Sequence, residues 1–67
     1  MMITGPQCRA ARALVEFSRD RLAQLSGIDT ATIEQFERKL GTPSDEQIQA
    51  LADTLEKAGA LFIPENG

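Results

Sequence analysis

The chain contains no histidine, no tryptophan and no tyrosine, and only one cysteine, Cys8. Without histidine it lacks the usual general base near neutral pH and the commonest metal ligand. A lone cysteine can neither close an internal disulfide nor assemble a thiolate metal site. There is no Gly-rich phosphate loop and no nucleophile beside an evident base, so neither an enzyme nor a cofactor site is expected. Apolar runs fall well short of the ~20 residues that a membrane span needs, and no basic segment precedes a signal-like core. A soluble, cytoplasmic protein follows as the expectation.

What remains suits one small helical domain over residues 1–67. Hydrophobic residues make up 42% of the chain, carried by Leu, Ile and Ala, with three phenylalanines as the only aromatics. A chain of this size hides about 60% of its unfolded surface, so its core is small. The net charge is −3, but its distribution is uneven. Residues 1–40 carry six basic groups against five acidic ones, while residues 41–67 carry Lys57 against five acids. A near-neutral end and an acidic end result. The acidic end would suit a basic protein partner, or would simply be a solvated surface.

Four helices are predicted. Gly5-Pro6 opens the first, since proline suits a first turn, with Ala11, Leu14 and Val15 as its apolar side. Ser18 caps the second, with Leu22, Ala23 and Leu25 inward, and Gly27 ends it in the left-handed conformation. Asp29 or Thr30 caps the third, whose Ile33, Phe36 and Leu40 repeat at helical spacing. Gly41-Thr42-Pro43 breaks the chain, and Ser44 with Gln47 forms a capping box for the fourth. That helix has the clearest stripe: Ile48, Leu51, Ala52, Leu55 and Ala58. After Gly59, the run Leu61-Phe62-Ile63 would form a short β-strand over 60–64 that pairs with a second copy, or would fold back on the bundle.

Residues 19–38 specify more than a helical hairpin. Two short helices crossing steeply need a small side chain at closest approach (Ala23) and a positive φ at the turn (Gly27). Ile28, Ile33 and Phe36 seat the second helix. This is the pattern of a helix-turn-helix, a motif whose second helix enters the major groove of DNA. The wider stretch "RAARALVEFSRDRLAQLSGIDTATIEQFERK", with the "TP" opening the next helix, resembles the Cro/phage-repressor class of the XRE family of bacterial and phage regulators. The resemblance covers roughly residues 6–58. It implies an all-α, lambda-repressor-like bundle of four to five helices.

It also implies a sequence-specific DNA-binding regulator, acting on double-stranded DNA as a homodimer. Thr30, Ala31, Thr32 and Gln35 would touch bases, since glutamine can bond bidentately to adenine and threonine or alanine methyls meet thymine methyls. Arg9, Ser18, Arg19, Arg38 and Thr42 would meet phosphates. For Arg9 and Arg19 ordinary surface charge is an equal alternative, and for Arg38 a complement to the dipole of its helix. Arg12 and Glu37 occupy positions that form a structural ion pair in relatives. Leu61, Phe62 and Ile63 would mediate dimerisation. Two departures stand out: Lys39 occupies a position commonly held by glycine, so the third helix is expected to run on to about Leu40, and Asp45 and Glu46 would repel phosphate near Thr42. The competing readings are an antitoxin-like or adaptor module that keeps the fold without strong DNA binding, and a fragment of a longer regulator.

Overall fold

In the computed structural model of the chain, residues 2–62 are described, and among them lie four helices: α1 (Gly5–Val15), α2 (Arg19–Ser26), α3 (Thr30–Glu37) and α4 (Asp45–Lys57). Each begins at a capping side chain. Thr4 and Gln7 form a capping box for α1, the Gln7 amide donating to Thr4 Oγ1 at 3.2 Å and the Thr4 amide to Gln7 Oε1 at 2.8 Å. Ser18 caps α2, Asp29 rather than Thr30 caps α3, and Ser44 with Gln47 makes the second capping box. These contacts satisfy amides that a helix start would otherwise leave unpaired.

The buried core is Ile3, Cys8, Ala11, Leu22, Ile33, Phe36, Ile48, Leu51, Ala52, Leu55 and Ala60. α4 supplies its floor, and α2 packs against both α3 and α4 while α1 packs against the same two. The start of α1 meets the end of α3 at unusually short range. A Cβ built on Gly5 would lie 2.0 Å from the carbonyl oxygen of Phe36, so only glycine fits there.

Several sequence expectations are corrected. α3 ends at Glu37 and does not reach Leu40, because Lys39 takes the left-handed conformation at φ 60°. The amides of Lys39 and Leu40 bond back to the carbonyls of Phe36 and Gln35 at 3.2 and 2.8 Å, the paired closure that normally uses glycine. Leu40 therefore falls outside the helix and is 67% exposed. Leu14 and Leu25 are exposed as well, each on the edge of its helix's apolar stripe rather than at its centre. Ala58 is exposed at the cap of α4, and Ala60, beyond the turn at Gly59, takes the core position. None of the described residues is in a strand, while Ile63 and Pro64 of the predicted 60–64 strand lie outside the described residues.

Candidate nucleic-acid interface

The corner between α2 and α3 is built from local hydrogen bonds. Gly27, at φ 79°, donates its amide to Ala23 O at 3.0 Å, and the Ile28 amide donates to Ser26 Oγ at 3.2 Å. Asp29 accepts from the Thr32 hydroxyl at 2.6 Å and the Thr32 amide at 3.3 Å. Those two bonds, the hydroxyl foremost, hold the Asp29 carboxyl below its ordinary pKa. The Thr30 hydroxyl donates to Asp20 Oδ1 at 3.0 Å, tying the first turn of α3 to that of α2. Both threonine hydroxyls have thus used their protons. Outward they retain methyl groups and acceptor lone pairs, which can meet thymine methyls or accept from base amino groups.

α3 forms a ridge between two depressions. Ala31 and Gln35 are its exposed residues, and Arg38, its C-cap, is exposed just beyond it. One depression is lined by Arg9, Arg12, Ser18, Arg19, Asp20, Thr30 and Glu34. The other is lined by Thr32, Gln35, Gly41, Thr42, Pro43 and Gln47. Gln35 leans over Gly41, whose added Cβ would come within 3.4 Å of Gln35 Oε1. Thr30, Ala31, Thr32 and Gln35 therefore share one element, with Arg9, Ser18 and Arg19 on one flank and Thr42 on the other. Arg38 lies on the ridge, paired to Glu34 at 3.0 Å in a solvent-exposed i, i+4 contact. Leu61 and Phe62 lie elsewhere, beside Gln7, Ala10 and Leu14 of α1, and Ile63 is outside the described residues.

Behind the first depression sits a buried ionic hub. The Glu37 side chain has no solvent exposure. It accepts from Arg12 Nε at 2.7 Å, Arg12 Nη2 at 2.8 Å, Arg19 Nε at 3.0 Å and the Cys8 thiol at 3.3 Å. Arg12 Nη1 also donates to the Phe17 carbonyl at 3.0 Å, stitching the α1–α2 turn to the hub. Burial opposes ionisation of Glu37 and is the largest single influence. The hydrogen bonds from Arg12, Cys8 and Arg19, with the charge of Arg12, outweigh it and hold the carboxyl below the ordinary glutamate value. Burial, then the bond to Glu37, pushes the Cys8 thiol up to about 12, so it is a neutral donor. Removing one charge from such a pair costs about 3–5 kcal/mol when the partner stays buried.

Three roles were not foreseen from the sequence. Arg19, expected at a phosphate, also joins Glu37 across the fold, which no local spacing signals. Glu34 lies half-buried beside the first depression, facing away from the Gln35 side of the ridge. Cys8, which the sequence marks only as a lone cysteine, donates to the hub. Helical spacing does place Cys8, Ala11, Arg12 and Val15 along one side of α1, and that pattern was the available clue. Among the described residues no group of acidic, Cys or His side chains is arranged to hold a metal ion, and no helix is long and apolar enough to cross a membrane.

Two short capped helices joined at a left-handed glycine, with the second exposed as a ridge, define a helix-turn-helix domain. Residues 9–62 match the helix-turn-helix family model, and the chain belongs to the XRE family of Cro/C1-type helix-turn-helix proteins. It is a DNA-binding regulator of that type. No curated protein matches the chain in sequence.

Proposed function

We propose that the chain reads a specific duplex sequence by laying α3 in the major groove, and that it does so as a homodimer in a bacterial or phage-infected cytoplasm. The observation that carries this reading is the ridge of α3 between two depressions, one of them lined by Arg9, Arg12 and Arg19. A helix lying in the major groove has a phosphate strand on either side, and the depressions flank α3 in that sense. Ala31 and Gln35 would face base edges from the crest, with Thr30 and Thr32 at the N-terminal end. Arg9, Ser18 and Arg19 would meet one strand and Thr42 the other, while Arg38 would reach a phosphate by leaving Glu34.

One copy touches few base pairs, and proteins of this kind gain affinity from two half-sites about 34–36 Å apart. Leu14 and Leu61 are exposed at 74% and 79% and line one depression with Phe62. Together with Ile63 they are the candidate dimer contact. A second reading, a module that binds a basic protein, is favoured by α4, where Asp45, Glu46, Asp53 and Glu56 are all exposed.

Selection from a random duplex library, repeated with Gln35→Ala and Thr32→Ala, separates the two. The regulator reading expects a motif that relaxes at defined positions in each variant, with a spacing that reports two half-sites. Absence of any enriched motif at low salt would transfer the function to the protein-binding module. Truncation after Ala60, with mass measured by ultracentrifugation, tests the dimer contact. An unchanged oligomeric state would remove Leu61, Phe62 and Ile63 from it.

A further inference from the structure

The two arginines on Glu37 are used differently. Arg12 commits every guanidinium nitrogen inside the protein: Nε and Nη2 to the Glu37 carboxylate, Nη1 to the Phe17 carbonyl. Arg19 gives Glu37 only its inner nitrogen, Nε, at 3.0 Å, and its Nη1 and Nη2 make no hydrogen bond among the described residues. Its side chain is 31% exposed against 15% for Arg12. One carboxylate faces two guanidinium groups, so the hub keeps a surplus positive charge. That surplus sits on the arginine with donors to spare, at the rim of the depression that Arg9, Ser18 and Thr30 also line. The acids of the same lining are already engaged, Asp20 by the Thr30 hydroxyl and Glu34 by Arg38.

We infer that Glu37 is a positioning residue for DNA binding: it grips Arg19 by Nε and presents Nη1 and Nη2 to one backbone phosphate seated in this depression. The inference rests on the DNA-binding reading above. A guanidinium anchored beforehand has less rotamer freedom to lose when the phosphate arrives, and its two terminal nitrogens suit two phosphate oxygens. Lysine reproduces this poorly, because its donors all radiate from one nitrogen and cannot hold the carboxylate at one point while a separate pair of nitrogens meets the phosphate. Coulomb attraction alone makes the opposite forecast for Glu37. Neutralising that carboxylate adds positive charge beside the DNA and would tighten binding, whereas loss of the anchor weakens it.

The test is a salt titration of binding to the fluorescein-labelled duplex that the selection enriches, read by anisotropy for the wild type, Arg19→Lys, Arg19→Gln and Glu37→Gln. Thermal melts confirm that each variant is folded. Both Arg19 variants should give a slope of log K on log salt that is shallower by about 0.9, the loss of one phosphate contact. Over a fourfold rise in salt, their affinity should fall roughly 3.5-fold less than that of the wild type. Glu37→Gln should bind more weakly in spite of its extra positive charge. An Arg19→Lys protein with the wild-type slope, or a tighter-binding Glu37→Gln protein, overturns the inference while leaving the DNA-binding reading standing. Where Glu37→Gln is unfolded, the Arg19 pair decides the matter. If the wild type enriches no duplex, the DNA-binding reading fails first and takes this inference with it.

Discussion

Replacing Lys39 by glycine should make the protein more stable, and the sign of the effect distinguishes two descriptions of α3. Lys39 sits at φ 60° just beyond the helix. A residue with a Cβ is strained there by roughly 1–2 kcal/mol, and glycine is not. Against this, glycine gives the unfolded chain more freedom, which costs about 0.4–1 kcal/mol. Losing a lysine charge near the end of a helix costs about 0.3 kcal/mol more. The Lys39 side chain is exposed and makes no hydrogen bond or ion pair among the described residues, so little else changes. The balance favours Lys39→Gly by about 0.5 kcal/mol, a rise of a few degrees in Tm for a chain of this size.

Urea unfolding followed by circular dichroism reads this directly, as a higher midpoint at unchanged m. Glu16, at φ 58° where α1 closes, is an internal control that should respond in the same direction. If α3 instead ran on to Leu40, position 39 would be helical and glycine would cost about 1 kcal/mol. A lowered midpoint for Lys39→Gly would therefore refute the left-handed closure.

Gly5→Ala should destabilise by at least the 1–3 kcal/mol typical of overpacking, because the new methyl would meet the Phe36 carbonyl, which has no alternative rotamer. A chemical-denaturation midpoint close to the wild type would show that α1 can move away from α3. Stability should also fall in acid. The Glu37 carboxyl is held low in the folded protein, so its contribution is full above the ordinary glutamate range near ~4.3 and is lost as pH falls through the folded value. Urea midpoints measured across this range should drop for the wild type and drop less for Glu37→Gln. Parallel curves would mean that Glu37 is not responsible.

The helix-turn-helix was legible because its demands are local. Gly27 marks a turn that needs positive φ, Ser18 and Ser44 are good caps, and Ile33 with Phe36 gives the buried side of α3. Where the sequence misled, a tertiary or conformational preference had no residue type to announce it. Lysine is not a signal for the left-handed region, so the end of α3 was invisible, although Pro43 and Gly41 nearby pointed to a break. Periodicity located the apolar stripes of α1 and α2 but not their width, which is why Leu14 and Leu25 were placed inside. The close approach at Gly5 depends on α3, far away in the chain, and could not be inferred from a neighbour. For the candidate interface, the Arg12–Glu37 pairing entered only through family resemblance. The capture of Arg19 by the same carboxylate had no sequence signal at all.

That capture changes how the acidity of the chain bears on its function. Of the six basic groups in residues 1–40, Arg12 is fully engaged by Glu37 and Arg38 is shared with Glu34. Lys39 lies by Thr4, Gly5 and Pro6, away from the first depression. Arg21 is exposed on α2, 3.5 Å from Gln24 Oε1, and lines neither depression. The positive potential beside α3 then depends mainly on Arg9 and on the uncommitted end of Arg19. The opposite depression has no cation in its lining and offers only Thr42, Gln35 and Gln47 as neutral donors, close to Asp45 and Glu46 at the start of α4. Charge-based grip would thus fall on one strand of the duplex and hydrogen bonding on the other. Non-specific affinity scales with the number of phosphates neutralised, so a single copy would hold DNA weakly at physiological salt. Sequence readout by Ala31 and Gln35 and the doubling of contacts in a dimer would have to supply the rest. In this arrangement weak non-specific binding favours discrimination, because an electrostatic grip that cannot tell sequences apart contributes little to the total.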